Sequence, residues 1–152
     1  MSFLLSLITA FSFSSGITGL LTVERMCSCR AQPLEEHIEE SSVIISGTVI
    51  AEIQAAPVRD SAHGTWDESW LTRFKVVRQN VYKGKVPDTV TVVTAKHSAA
   101  CGYRFLIGQP YLIYGDVNSQ GELSTSICTS TKPLSSADED LTFFEKMGIR
   151  AR

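Results

Sequence analysis

Cys27 and Cys29, one residue apart in MCSCRAQPLEEH, share the chain with two distant cysteines, Cys101 and Cys128. Thiols so placed either ligate a soft metal or oxidise to disulfides. A zinc cage wants a second close ligand pair, and His37, His63 and His97 each stand alone in the sequence, so no metal or other cofactor is expected. A bridge between Cys27 and Cys29 would close a very tight ring, so each should reach a distant partner. Two pairings stay open: 27 to 101 with 29 to 128, or 27 to 128 with 29 to 101. Either closes loops of roughly 70 to 100 residues, for which chain entropy gives on the order of 4 kcal/mol per bridge.

Disulfides need an oxidising compartment. Residues 1 to 23 carry no charged side chain, and FLLSLITAFSF has the length and apolarity of a signal-peptide core, too short for a membrane span. The expected organisation is a signal peptide over 1–19, cut before Ile17 or Leu20, a short extension over 20–26, and one domain over 27–148. The protein should be secreted, extracellular or, in a bacterium, periplasmic, with no membrane span after processing.

The remaining chemistry is sparse. No nucleophile elbow, HExxH zinc motif or phosphate loop occurs, and the scattered histidines make no triad, so no enzyme is expected. With Lys+Arg 14 against Asp+Glu 16, the net charge of -2 gives no global attraction to nucleic acid or an anionic membrane. One local exception is Arg73, Lys75, Arg78, Lys83 and Lys85, a run free of acids that fits a sulfated or other anionic polymer, or simply a solvated strand face.

The elements that must carry these residues are mostly strands. VIISGTVIAEIQ (43–54) is β-branched, with Gly47 marking a bulge or bend. WLTRFKVVRQNVY (70–82) alternates, and Lys83-Gly84-Lys85 turns the chain. TVTVVTA (89–95), QPYLIYGDV (109–117) and GELSTSIC (121–128) follow, the last two joined by a hairpin turn at Asn118 to Gly121. Five such strands predict a small closed barrel. Pro33 opens a short helix through LEEHIEE. Ser136 to Glu139 has capping-box spacing for a second helix, whose Leu141, Phe143, Phe144 and Met147 should pack on the barrel. The connector 55–69 reads as an exposed loop. Phe74, Tyr103, Phe105, Tyr111 and Tyr114 fit barrel packing better than a base-stacking platform.

Cys-x-Cys at the domain start, the strand with Gly47, FKVVRQNVYKG, ACGYRFLIGQPYLIYG and GELSTSICTSTKPLSSA occur in an order that resembles the netrin-like module of the tissue inhibitors of metalloproteinases, from Cys27 to about Leu141. The resemblance implies a mainly β fold, a five-stranded OB Greek-key barrel with flanking short helices, in its minimal single-domain form. It also implies the bridges Cys27 to Cys101 and Cys29 to Cys128. The implied activity is inhibition of a zinc metalloendopeptidase: the α-amine and carbonyl of Cys27 would chelate the target's catalytic zinc and Ser28 would enter the adjacent pocket. Cys29 would anchor the ridge, and Ser98, Ala99 and Ala100 would line the contact strip. That role requires a free amine on Cys27, whereas the two favoured cleavage sites leave Cys27 internal. A non-inhibitory netrin-like module that binds a polyanion through the basic run, or binds a protein, is the alternative.

Overall fold

The computed structural model describes residues 27–53 and 70–152; the expected leader, extension and connector 55–69, with His63, lie outside them. The order of elements is α1 (Leu34–Glu40), β1 (Val43–Ile53), β2 (Leu71–Lys83), β3 (Thr89–Ala95), β4 (Pro110–Val117), β5 (Leu123–Ser124), β6 (Lys132–Pro133) and α2 (Asp138–Lys146). Short 3-10 turns lie at Ser98–Ala100 and Leu134–Ser136.

Strand pairing runs β1-β2-β3-β5-β4, and β4 pairs again with β1, so five strands close the expected barrel. All pairs in the ring are antiparallel except β3 with β5. A sixth, two-residue strand, β6, adds to β4 and was not expected. Gly47 sits at one of three register shifts between β1 and β2. A Cβ there would lie 2.7 Å from both Val76 Cγ1 and the Val77 carbonyl, so the strands close up only over a bare glycine.

The long apolar runs in β1 and β4 follow from two cores. Val43, Ile45, Val49, Tyr111 and Ile113 fill the barrel with Phe74, Val76, Val92, Phe105 and Leu123. Their neighbours Ile44, Leu112 and Tyr114 face a second core with Ala137 and Phe144, against which Leu34 and Ile38 of α1 and Leu141 of α2 pack. A strand buried on both faces reads as continuously apolar rather than alternating. The five aromatic residues are packing residues: Phe74, Phe105, Tyr111 and Tyr114 are buried, and Tyr103, Phe105 and Tyr111 pack edge-on or tilted against one another.

Three expectations at the level of elements are corrected. GELSTSIC does not form a strand of that length: β5 ends at Ser124, and past the Thr125 N–H, which still donates to the Val93 carbonyl, side-chain hydroxyls make the bonds to β4. Thr125 Oγ1 donates to the Tyr114 carbonyl and Thr131 Oγ1 accepts from the Tyr114 N–H. The capping box does not form: the 3-10 turn Leu134–Ser136 moves the cap of α2 to Ala137, which has no side-chain acceptor. Met147 is 61% exposed instead of packed on the barrel, because α2 ends at Lys146 and Met147 falls on its outer side. The chain keeps contact with the barrel past Gly148, where Ile149 packs on the second core and Arg152 pairs with Val81.

Candidate functional site

The stretch from Cys27 to Pro33 belongs to no helix or strand, and its shape is set by covalent bonds. Cys27 is joined to Cys101 and Cys29 to Cys128, with Cα–Cα distances of 5.1 and 5.0 Å and sequence separations of 74 and 99. Of the two pairings left open by spacing, this is the one that the family resemblance implies. The bridges lie against each other, since Cys128 Sγ is 3.8 Å from Cys27 Sγ and 3.7 Å from Cys101 Sγ. This proximity groups Cys27, Cys29 and Cys128 as a metal-like cluster, but bridged sulfurs offer no thiolate to a metal.

The surfaces that receive the two bridges are themselves rigid. Cys101 ends the 3-10 turn Ser98–Ala100 with φ 62°, the one non-glycine residue with positive φ among the described residues. Its N–H donates to the Ser98 carbonyl at 3.0 Å, and its carbonyl accepts from Ile127 N–H at 2.9 Å, which ties the two bridge loops together. At Gly102 a Cβ would fall 1.9 Å from the Ala95 carbonyl, so only glycine lets the chain leave the turn this close to β3. Tyr103 N–H then donates to Thr94 Oγ1 at 2.8 Å. On the other side, Ser126 Oγ accepts from the Cys128 N–H at 3.1 Å.

The result is an exposed edge. Ser28, Cys29, Ser98, Ala99 and Ala100 are all exposed and none is charged. The Cys27–Cys101 bond brings Cys27 beside the Ser98–Ala100 turn, so residues some seventy positions apart form one strip. Beside Ser98 opens a cavity of about 460 Å³ whose lining includes Glu52, Thr72, Lys96 and Arg104. Tyr103 also lines it, and burial, then the neighbouring Tyr111, push its phenol up to about 12.

Sequence reasoning missed Trp70. It is 62% exposed, sits edge-on to His97 with ring centroids 6.3 Å apart, and its carbonyl accepts from the Lys96 N–H. The available signal was a large aromatic side chain placed just ahead of an alternating strand. The exposed Ile127, next to Cys128, was missed too.

The basic run does not form one surface. Arg73 Nε donates to Glu122 Oε1 at 2.7 Å, and both side chains are largely buried. Lys83 Nζ caps α1 by donating to the carbonyls of Ile38 and Glu39. Arg78 pairs with Asp88, whereas Lys75 and Lys85 are exposed.

A closed barrel stapled by two stacked disulfides, with Ser28 and the Ser98–Ala100 turn exposed at the bridges, describes a protein that presents rigid backbone rather than reactive side chains. The family model described as tissue inhibitor of metalloproteinase matches residues 25–152, and the chain belongs to that family. The members of that family are inhibitors of metalloproteinases, not enzymes. No curated protein matches the chain. Among the described residues no helix is long and apolar enough to cross a membrane.

Proposed function

We propose that the protein is a secreted inhibitor of zinc metalloendopeptidases that acts through the N-terminal end of the ridge. The observation that carries this reading is the Cys27–Cys101 bond beside the exposed Ser98–Ala100 turn, buttressed by the second bridge at 3.7 Å. In this reading the α-amine and carbonyl oxygen of Cys27 take the positions on the target's zinc that water and substrate would occupy, and hydrolysis stops. Ser28 enters the pocket beside the metal, and Ser98, Ala99 and Ala100 lie along the adjoining cleft. The bridges hold these groups before the encounter, so little conformational entropy is lost on docking.

The mechanism has one chemical condition, a chain that begins at Cys27, because an amide nitrogen cannot replace the amine as a ligand. Intact mass with N-terminal sequencing of the secreted, non-reduced protein tests the condition. Inhibition of zinc endopeptidases by two chains, one beginning at Cys27 and one at Met26, tests the mechanism. The Cys27 chain should inhibit, and the extra methionine should weaken it by about 100-fold or more through loss of the chelate. Equal inhibition by both chains, or none by the Cys27 chain, would overturn the reading.

A further inference from the structure

At the end of β2 away from the ridge, Arg78, Gly84, Lys85 and Arg152 surround an open cavity of about 230 Å³, completed by Val81 and Val86. Three of these six side chains are cationic and none is acidic. The sequence does not bring them together, since Arg152 lies far beyond the strand. Its place is fixed by two backbone hydrogen bonds with Val81, N–H to carbonyl at 3.1 Å and the reverse at 3.0 Å, and its Nη2 reaches the Gly84 carbonyl at 3.4 Å.

Arg78 is already partly engaged. Its Nη2 donates to Asp88 Oδ1, on a side chain that is 91% exposed, while its Nε is buried and is the one such side-chain atom without a partner among the described residues. Nε has practically no accessible surface, so Arg78 contributes to the cavity through its charge and not through this atom.

We propose that this cavity binds the tetrahedral oxyanion head of a sulfate or phosphate ester. Two guanidinium groups and an ammonium suit the several acceptor oxygens of such a group, and the acidic side chain beside them, Asp88, is turned to solvent and engaged with Arg78. The proposal does not depend on the ridge or on inhibition. It replaces a polyanion surface of five residues by a discrete site that drops Arg73 and Lys83, which are engaged elsewhere, and Lys75, and adds Arg152.

The test is a titration of the folded, bridged protein with inorganic sulfate and with inorganic phosphate, followed by backbone amide NMR shifts. A sulfated oligosaccharide and polyphosphate follow, to separate the two sources of the oxyanion. Shifts should centre on Gly84, Lys85 and Arg152. Arg152→Gln and Lys85→Gln should each weaken binding by about tenfold with the thermal midpoint unchanged, and Lys75→Gln should leave it unaltered. Affinity should fall as salt rises. Tighter binding of either polymer supports the site and names its source. Absence of localised shifts, or a Lys75→Gln effect as large as that of Arg152→Gln, would overturn the pocket in favour of diffuse attraction to the strand.

Discussion

Tyr114 ties β4 to the first turn of α2 through one hydroxyl. It donates to Asp140 Oδ2 at 2.6 Å, Lys132 Nζ donates to the other carboxylate oxygen at 2.7 Å, and Asp140 itself is buried. Burial, then the hydrogen bond to Asp140 and that residue's charge, raise the phenol well above its ordinary range, so it stays a donor at every pH where the fold is used. Tyr114→Phe leaves a buried carboxylate short of one donor and should cost about 2 kcal/mol. The measurement is the urea midpoint at constant slope, and an unchanged midpoint would mean that Lys132 alone satisfies Asp140. Tyr114 was legible in the sequence as a packing residue, but its polar role was not, because the partner lies 26 positions away. The capping-box spacing pointed to Ser136 and Glu139, whereas the acid that is buried is Asp140. Cys27 and Cys29 were legible for the opposite reason: a thiol in an oxidising compartment has few alternatives, and so short a spacing excludes the local one.

The hairpin that joins β4 to β5 depends on Asn118 and Glu122. Asn118 Oδ1 accepts from the N–H groups of Gln120 and Glu122, while Glu122 reaches across to Arg73 on β2. Burial opposes ionisation of Glu122, but the Arg73 and Asn118 hydrogen bonds and the Arg73 charge outweigh it and hold the carboxyl below its ordinary value. A carboxyl lowered by folding stabilises the native state above its unfolded pKa, and that contribution is lost as pH falls through the lowered value. Stability should therefore drop below about pH 4.5, and Glu122→Gln should make that drop shallower. Chemical denaturation at a series of pH values checks it, and parallel curves for the two proteins would sink the assignment. β1, β3 and β4 were legible because β-branched runs bounded by turn residues have one easy reading. β5 was overread, since Thr125 has strand propensity yet its hydroxyl donates to the Tyr114 carbonyl on β4, and Ser126 Oγ accepts from the Cys128 N–H. The start of α2 was displaced for a similar reason, a 3-10 turn that spacing alone does not reveal.

Closure of the barrel depends on β1 meeting β4 and on the parallel β3–β5 pair, contacts between distant segments with no local signal. That topology was legible through the order of motifs, not through any one of them, and the exposed strip was legible only once the family resemblance tied Cys101 to Cys27. The basic run and Trp70 show the limit, because which charges are neutralised and which aromatic residue is exposed depend on partners that folding supplies. Replacing Cys29 and Cys128 together by serine should lower stability by roughly 2 to 4 kcal/mol while the barrel pairing persists, read from the thermal midpoint and the amide spectrum. An unchanged midpoint would mean that the closed sheet, not the staple, fixes the Cys29 segment. Both bridges leave from residues 27 and 29, so everything between Cys29 and Cys128 forms one covalent loop, and β6, α2 and the closing residues lie outside it. Under tension applied between Cys27 and Arg152, only the segment after Cys128 can pay out, roughly 80 Å when fully extended, before the load passes to a sulfur–sulfur bond. β6 and α2 are thus a mechanical fuse in series with a ridge that stretches no further.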